Sequence, residues 1–278
     1  MAKIPLAKVV LLCAALTLGA CTSSVFYHPD RILYSTPENA GLKFEQMVFT
    51  AADGTRLVGW FIPAADRADP REAEGTVIHF HGNAQNISAH WQFVDWLPRR
   101  GYNVFTFDYR GYGGSEGQPS PAGLFLDSQG ALDYVRHRHD VNPERLLVFA
   151  QSLGGANAIA AVGAGNRAGI RAMAVEATFA SYSAIASDKM AGTGMLMDDS
   201  YSAERYVDKL SPIPLLLIHG TADPVIPDAH SKALLEKAKP PKELILVPGG
   251  GHIEATTERY GEKYRDALLA FFRKAFAP

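Results

Sequence analysis

The sequence predicts an α/β fold, a doubly wound and mostly parallel sheet with a short helical cap inserted into it. Six short, continuous apolar runs alternate with helical patterns, which is typical of parallel strands covered by helices on both faces. The runs are Thr76–Phe80, Asn103–Phe107, Leu146–Phe149, Ala172–Val175, Leu215–Ile218 and Leu244–Val247. Residues 182–214 interrupt this alternation without a strand, and the interval predicts the cap. Its Met190, Met195 and Met197 are expected to form the cap's own core or to roof a pocket.

Composition and charge limit the class of protein. The chain has 278 residues, enough for one sizeable α/β domain or two small ones. It is 47% hydrophobic and 20% charged, which excludes a disordered chain and a membrane protein with many spans. The formal net charge is −2 and the sequence has no basic block, so a nucleic-acid partner is not expected.

The N-terminus has the pattern of a secretory signal peptide over residues 1–20. Two lysines precede the apolar run Val9–Leu18, which is too short to span a membrane. The tetrapeptide Leu18–Cys21 resembles the lipobox of bacterial lipoproteins. That resemblance implies cleavage after residue 20 and attachment of lipid, palmitate included, to Cys21. A plain cleaved signal followed by an incidental cysteine is the alternative.

The lipoprotein resemblance also implies a location. The mature protein would be lipid-anchored in the bacterial cell envelope and would face the periplasm. Thr22 stands where an aspartate would retain an enterobacterial lipoprotein in the inner membrane, so the outer membrane is favoured. Cys13 lies in the signal and Cys21 would carry lipid, so no disulfide is expected.

The remaining chain is expected to form a tether and one domain. Residues 21–42 are polar and marked by prolines, which predicts a lipid-anchored tether that then packs on the domain formed by residues 43–278. The domain is predicted to begin with a β-hairpin of Lys43–Phe49 and Arg56–Ile62. Asp53–Gly54 lies between these two alternating apolar stretches, and Asp-Gly is a strong hairpin signal.

The stretch Leu146–Asn157 carries the candidate nucleophile. An apolar run stops at Ser152 and small residues with helical character follow, which predicts a sharp strand-to-helix turn that exposes the serine hydroxyl. Gly154 and Gly155 are expected to let the helix pack close to the strand. The pattern for such a turn is G-x-S-x-G, and Ala150 replaces its first glycine.

A serine becomes nucleophilic when a base takes its proton, and the base needs a group that fixes its tautomer. In proteins with this turn the chain order is serine, acid, histidine. His252 follows the last predicted strand across a glycine-rich loop that brings it towards the strand ends, and it is the predicted base. His230 also follows the serine, but it lies in a helical pattern and is expected to be a surface residue.

Asp223 is the predicted acid, because it comes just after a buried strand in a loop that Pro224 and Pro227 stiffen. Aspartate before proline is also common in turns, so a helix cap or an Asx-turn is the alternative interpretation. Glu176, just past the preceding strand, is a rival for the role of acid.

Acyl transfer also needs hydrogen-bond donors aimed at the oxyanion that develops on the substrate. One predicted donor is the backbone N–H of Leu153, directly after the candidate nucleophile. The second is the amide of Asn83, in the loop His81–Asn86 that follows the Thr76–Phe80 strand.

Two possible cofactor sites are not favoured by the sequence. His79 and His81 share one strand face, but a metal site there lacks a third ligand nearby. The glycine-rich stretch Asp108–Gly117 has Glu116 where the last glycine of G-x-G-x-x-G would stand, so it does not predict a dinucleotide site. No metal and no cofactor are therefore expected.

Five ordered motifs resemble those of the α/β-hydrolase superfamily, and most closely its membrane-anchored ABHD-type serine hydrolases. The motifs are HGN-x-x-N at His81–Asn86, D-Y-R-G-Y-G-x-S-x-G at Asp108–Gly117, the serine turn at Ala150–Gly154, H-G-x-x-D-x-x-I/V-P at His219–Pro227 and G-x-x-H at Gly249–His252. The resemblance implies the α/β-hydrolase fold and a serine hydrolase without a cofactor. It also implies a catalytic triad of Ser152, Asp223 and His252.

Three functional hypotheses follow. The first is a serine hydrolase that cleaves carboxylic esters or thioesters of small molecules through an acyl-enzyme. The second is a peptidase or amidase of the same fold, for which Asp188, Asp198 and Asp199 in the cap are candidates to bind a peptide amine. The third is a non-catalytic lipoprotein that has inherited the hydrolase fold and acts as a binding module in the envelope, with its lipid anchor in the membrane.

Overall fold

The computed structural model describes residues 26–277, so the predicted signal peptide and Cys21 lie outside the described residues. Within that range the chain forms ten strands: β1 (His28–Pro29), β2 (Glu45–Thr50), β3 (Arg56–Ile62), β4 (Gly75–Phe80), β5 (Ala84–Gln85), β6 (Tyr102–Phe107), β7 (Leu146–Gln151), β8 (Ile170–Glu176), β9 (Leu215–Gly220) and β10 (Lys242–Val247). It also forms six α-helices: α1 (Ile87–His90), α2 (Pro121–Arg136), α3 (Leu153–Gly163), α4 (Tyr182–Lys189), α5 (Ala229–Lys237) and α6 (Lys263–Lys274).

Eight strands form one mixed sheet in the order β10-β9-β8-β7-β4-β6-β3-β2. Strand β3 is antiparallel to both β2 and β6, and all the other neighbours are parallel. Each of the six predicted apolar runs lies in one strand of this sheet, so the prediction of a mostly parallel sheet is confirmed. The predicted hairpin is confirmed as well, since Thr50 pairs with Arg56 across the turn at Asp53.

Helices cover both faces of the sheet, and this explains the continuous apolar runs. All residues of β4, β6, β7 and β9 are buried. Helices α2 and α3 contribute Leu132 and Ile159 to the core on one face, and α6 contributes Leu268 and Phe272 to the core on the other. Each such side chain contributes about 1.5–3 kcal/mol when it leaves water. The doubly wound arrangement is therefore confirmed.

The parallel strands end at the same edge of the sheet, and their loops meet there. Strands β4, β7, β9 and β10 end at Phe80, Gln151, Gly220 and Val247. In open parallel sheets this carboxyl edge is where ligands bind. The loops that hold the candidate nucleophile, acid, base and oxyanion donors all begin there.

The interval between β8 and β9 holds α4 and three short 3-10 helices, Thr193–Leu196, Ala203–Arg205 and Val207–Lys209. Its core is formed by Tyr182, Ile185 and Ala203, which are all buried. Met190 and Met195 are 66% and 92% exposed, so the expectation that the methionines form the cap's core is wrong for these two, whereas Met197 is half-buried and packs against the core. The aromatic and aliphatic residues nearer the sheet fill that core instead, because they lie on the segments that contact α3 and α5.

The described N-terminal residues pack directly on the domain. Tyr27 is only 4% exposed, and the two-residue strand β1 pairs in parallel with β5. A helix long and apolar enough to cross a membrane does not occur between residues 26 and 277.

Candidate active site

Ser152 lies at a sharp junction between β7 and α3. Its backbone has φ of 53° and ψ of −123°, a conformation that costs a non-glycine residue on the order of 1–3 kcal/mol. Three hydrogen bonds hold this turn in place. The N–H of Ser152 donates to the carbonyl of Glu176 at 2.9 Å, and its own carbonyl accepts from the Gly155 N–H at 3.0 Å and the Thr178 hydroxyl at 2.8 Å.

Two glycines allow α3 to begin directly against the sheet, as predicted. A Cβ on Gly154 would lie 2.2 Å from the carbonyl oxygen of Phe80, and a Cβ on Gly155 would lie 2.5 Å from a methyl of Val175. Neither position therefore tolerates a side chain without displacing the backbone or the next strand. Ala150 is fully buried and pairs with Phe80 and Val175 on the neighbouring strands, so the turn forms with alanine at the motif's first position.

The structure brings Ser152, His252 and Asp223 together. Nε2 of His252 lies 3.0 Å from Oγ of Ser152, and Nδ1 of His252 lies 2.8 Å from Oδ2 of Asp223. A carboxylate only accepts, so Nδ1 carries the proton and Nε2 presents its lone pair to the serine hydroxyl. The Asp223 side chain is fully buried and the His252 side chain is 19% exposed, so the imidazole borders solvent while its partner does not.

Asp223 serves its own loop as well as His252. Its Oδ1 accepts from the backbone N–H groups of Val225 and Ile226 at 2.8 and 3.0 Å, so the Asx-turn considered from the sequence is present too. Burial alone raises the pKa of Asp223, but hydrogen bonds from His219, His252 and the Ile226 N–H outweigh it. The pKa of this carboxyl is therefore held well below its usual value, and Asp223 is ionised at neutral pH.

Glu176, the rival acid, contacts the base's loop rather than the base. Its Oε1 accepts from the Ala255 N–H at 2.8 Å and its Oε2 from the side-chain amide of Gln151 at 2.7 Å. The side chain of Gln151 also contacts His79, and Oε1 of Gln151 lies 3.1 Å from Nε2 of His79. The other ring nitrogen of His79 lies 3.2 Å from the hydroxyl of Thr106. This buried polar relay crosses four strands beneath the serine turn.

Sequence reasoning missed this relay, because its members lie on strands whose order is not readable from the chain. Only the buried polar residues inside otherwise apolar strands, such as His79 and Thr106, mark it. Burial raises the pKa of Glu176, against the hydrogen bonds from Gln151 and the Ala255 N–H.

His230 is buried, so the expectation of a surface residue is wrong. Its Nδ1 accepts from the Ala180 N–H at 3.1 Å, and its Nε2 lies 2.8 Å from Oδ2 of Asp188 on α4. The helical pattern identified α5 correctly. It did not reveal that the cap and the segment after β8 cover the face of α5 that carries His230.

The candidate oxyanion donors belong to two segments that border Ser152. The loop with Gly82 passes so close that a Cβ on Gly82 would lie 3.6 Å from Cβ of Ser152. Leu153 is the first residue of α3. Between residues 26 and 277, the backbone N–H groups of Asn83 and Leu153 donate to no protein acceptor. Within the part of the chain that the structure describes, both N–H groups thus keep the donor capacity that the predicted oxyanion role requires.

His79 and His81 make internal contacts and are not joined by further ligands. Among the described residues, no group of three His, Cys, Asp or Glu side chains could hold a metal ion. Burial lowers the pKa of His79 to about 3, so its imidazole is neutral. Nδ1 of His81 donates to the carbonyl of Gly82 at 2.8 Å, which leaves Nε2 without a proton, 3.7 Å from Oδ1 of Asp108.

Asp108 is a buried titratable group whose protonation state the sequence did not indicate. Burial raises its pKa to about 7, although Oδ1 accepts from the Ile87 N–H at 2.8 Å. Its protonated form also suits the unprotonated Nε2 of His81, which is buried without a hydrogen-bond partner. Burial therefore favours the neutral carboxyl, against the hydrogen bonds from the Ile87 and Gly114 N–H groups, which favour the ionised form.

Comparisons with known proteins agree with this architecture. A family model described as serine aminopeptidase, S33 matches residues 71–201. The chain is 51% identical over 270 residues to the protein YfhR of Escherichia coli K12, covering 97% of this chain and 93% of that one. It is 33% identical over 261 residues to the alpha/beta hydrolase domain-containing protein WAV2 of Arabidopsis thaliana, covering 87% and 82%. The solved esterase Pf2001 of Pyrococcus furiosus shares the fold, with a TM-score of 0.74 at 20% identity over 90% of this chain and 98% of that one.

Proposed function

The chain belongs to the α/β-hydrolase family, and from that premise we propose that it is a serine hydrolase that cleaves carboxylic esters or thioesters. The observation that carries the proposal is the continuous hydrogen-bonded series from Ser152 Oγ through His252 to Asp223, with distances of 3.0 and 2.8 Å. This geometry is what nucleophilic catalysis by serine requires.

Acylation begins when Oγ of Ser152 attacks the substrate carbonyl carbon while Nε2 of His252 takes its proton. A C–O bond forms, the carbonyl π electrons move to oxygen, and a tetrahedral oxyanion results. The ionised Asp223 stabilises the imidazolium through Nδ1. When the oxyanion collapses, the bond to the alcohol or thiol breaks and His252 gives its proton to the leaving group.

The backbone N–H groups of Asn83 and Leu153 are proposed to bind the oxyanion. They are fixed before the reaction begins, so they stabilise the developing charge without reorganisation at that moment. Removing one such donor typically costs 100- to 1,000-fold in kcat.

Deacylation repeats the same steps with water. His252 takes a proton from water, the resulting nucleophile attacks the acyl-Ser152 carbonyl, and collapse of the second oxyanion returns the proton to Oγ. The products are a carboxylic acid and the free enzyme. The cycle requires no metal or cofactor.

The test is covalent labelling with a fluorophosphonate and turnover of p-nitrophenyl acyl esters of increasing chain length. We expect the wild-type chain to be labelled and to release nitrophenol, and Ser152→Ala to do neither while keeping its melting temperature. Labelling that persists in Ser152→Ala excludes Ser152 as the nucleophile and contradicts the proposal. A wild-type chain inert to both reagents contradicts it as well and favours a non-catalytic lipoprotein.

A peptidase or amidase is the second candidate, because the family model that matches the chain is described as a serine aminopeptidase. All three cap carboxylates considered for binding an amine already have partners within the protein. Asp188 contacts His230, Asp198 accepts from the Ser200 N–H, and Asp199 accepts from the Ser183 N–H and the Ser202 hydroxyl. This favours the esterase. Comparison of kcat/KM for acyl esters and aminoacyl p-nitroanilides ranks the two, and faster anilide turnover would reverse the order.

We also propose that lipid on Cys21 anchors the enzyme in the bacterial cell envelope, facing the periplasm, with the outer membrane favoured. The support is the resemblance of Leu18–Cys21 to a lipobox. We expect Cys21→Ser to lose incorporation of labelled palmitate and to leave the membrane fraction. Cys13→Ser, inside the predicted signal, is the matched control and should keep both. Separation of inner and outer membranes on a density gradient tests the location.

A further inference from the structure

We propose that residues 26–30, called the N-terminal brace below, position the oxyanion-binding N–H of Asn83 through the side chain of that residue. The inference rests on the proposed function, because it assigns a role to the same site. It gives the segment just after the predicted lipid-anchored end a role in positioning a group of the active site. The side chain of Asn83 is a positioning group in this proposal, and only its backbone N–H touches the substrate.

The side chain of Asn83 makes three hydrogen bonds, two to the brace and one to a tyrosine. Its Nδ2 donates to the carbonyl of Phe26 at 2.5 Å. Its Oδ1 accepts from the backbone N–H of His28 at 3.2 Å and from the hydroxyl of Tyr112 at 2.7 Å. The oxygen and one N–H of the side-chain amide are thus engaged, and we assign the residue's contribution to an oxyanion site to its backbone N–H.

The backbone of the same loop is paired with the brace as well. Strand β1 pairs with β5, with His28 opposite Ala84 and Pro29 opposite Gln85. The N–H of Asp30 then donates to the carbonyl of Gln85 at 3.3 Å. Gln85 has φ of 63°, an unfavourable conformation for a residue with a side chain, so the loop depends on such contacts to keep its shape.

The far end of the brace is fixed to the domain. Oδ1 of Asp30 accepts from the side-chain amide of Asn86 at 2.7 Å, and the carbonyl of Asp30 accepts from the Gly113 N–H at 2.8 Å. At the near end, the ring of Phe26 packs against Tyr182 of the cap, with ring centroids 5.5 Å apart. The brace is thus held on both sides of Asn83.

The physical consequence concerns the transition state. The loop runs from Gly82, beside Ser152, to α1. Within this loop, Asn83 is the residue whose side chain is hydrogen-bonded to the brace. An oxyanion donor is effective only at about 2.7–3.1 Å from the developing charge, and displacement by about 1 Å costs on the order of 100-fold. Loss of the hydrogen bonds that hold the Asn83 side chain should lower kcat and leave substrate binding in the ground state nearly unchanged.

The first experiment replaces Asn83 in the full chain and measures p-nitrophenyl ester turnover. Asn83→Ala keeps the backbone N–H and removes all three side-chain bonds. We expect kcat to fall about 10- to 100-fold, as a displaced donor implies, with KM within about three-fold. The rate of fluorophosphonate labelling should fall by a similar factor, and the pH profile should keep its midpoint because His252 and Asp223 are untouched.

The matched control is Asn39→Ala, in the same N-terminal region. The Asn39 side chain accepts from the Thr36 N–H at 2.8 Å, far along the chain from the oxyanion loop. It should lower the melting temperature without changing kcat.

A second pair of variants tests the brace from the other partner, should Asn83→Ala fail to fold. His28→Pro removes the N–H that donates to Asn83, and His28→Ala replaces the same exposed side chain but keeps that N–H. We expect kcat of His28→Pro to lie at least five-fold below that of His28→Ala.

The outcomes separate this inference from the proposed function. A wild-type chain without esterase activity or labelling contradicts the proposed function itself. An active wild type with kcat of Asn83→Ala within two-fold, or with equal kcat for the two His28 variants, overturns the brace alone. A rise in KM at unchanged kcat assigns Asn83 to substrate binding and overturns it as well.

Discussion

Nε2 of His252 lies 3.0 Å from Oγ of Ser152, although 100 residues separate them along the chain. Ser152 follows β7 and His252 follows β10, and two further strands lie between these in the sheet. The contact therefore depends on the reach of the loop after β10, which is glycine-rich and returns over the strand ends. The N–H of Ala222 in the neighbouring loop donates to the carbonyl of Gly250 at 2.9 Å and holds that return in place.

Replacing the acid of this series should abolish catalysis while preserving its loop. Asp223→Asn keeps Oδ1, which accepts from the N–H groups of Val225 and Ile226, and changes only the atom facing His252. The amide favours the wrong imidazole tautomer, so we expect kcat for p-nitrophenyl esters to fall about 10⁴-fold. Asp66→Asn, at an exposed carboxylate, is the control. A loss below ten-fold in a folded Asp223→Asn would exclude Asp223 as the acid.

The buried relay predicts different results for two substitutions of Glu176. Glu176→Ala leaves the Ala255 N–H and the Gln151 amide unpaired, which costs about 1–3 kcal/mol for each group and frees the loop that carries His252. Glu176→Gln can keep both bonds if Gln151 turns over and His79 changes tautomer. We expect a clearly lower denaturation midpoint and kcat for Glu176→Ala than for Glu176→Gln. Equal losses of stability and kcat in the two variants would mean that Gln151 and His79 cannot rearrange to bond a glutamine at position 176.

The pKa of Asp108 predicts a pH dependence of stability. Folding raises this pKa from 3.8 to about 7 because the carboxyl is buried. The folded state then binds the proton more tightly than the unfolded state, so the stabilising contribution is complete below about pH 4. It is lost as the pH rises through 7.

The measurement is urea denaturation of wild type and Asp108→Asn between pH 4 and pH 8. The asparagine does not titrate, so its stability relative to wild type should increase by about 1.4 kcal/mol for each pH unit between about pH 4 and pH 7 and should level off above pH 7. Asp53→Asn is the control with the opposite shift. Hydrogen bonds from Arg110 lower the pKa of Asp53 to about 2, so its difference from wild type should stay constant above pH 4. A constant difference for Asp108→Asn would show that Asp108 is ionised throughout.

The serine turn predicts that substitution is tolerated at position 150 and not at position 154. Ala150→Gly restores the glycine of the G-x-S-x-G pattern, and we expect unchanged kcat with a loss of about 0.5–1 kcal/mol from the added backbone freedom. Gly154→Ala places a methyl 2.2 Å from the carbonyl oxygen of Phe80, and we expect a loss of about 1–3 kcal/mol and a displaced Ser152. Thermal unfolding and ester turnover measure both. Higher kcat in Ala150→Gly would mean that the alanine distorts the turn.

The sequence determined the fold and the serine turn, because both depend on local pattern. The six apolar runs correspond to β4 and β6–β10, and the two glycines after Ser152 lie where close contacts leave no room for a side chain. The order serine, acid, histidine was readable as well, since each residue follows a strand whose carboxyl end lies on the same edge.

The tertiary structure decided which polar groups meet, because hydrogen-bond partners depend on strand order and on loops that return over the sheet. In the folded chain His252 contacts Asp223, whereas Glu176 accepts a hydrogen bond from the Ala255 N–H. The tertiary structure buried His230 beneath the cap and exposed Met190 and Met195, reversing the expectations for all three. The connection of Asn83 to residues 26–30 likewise spans more than 50 residues, and such a distance leaves no periodic signal in the sequence.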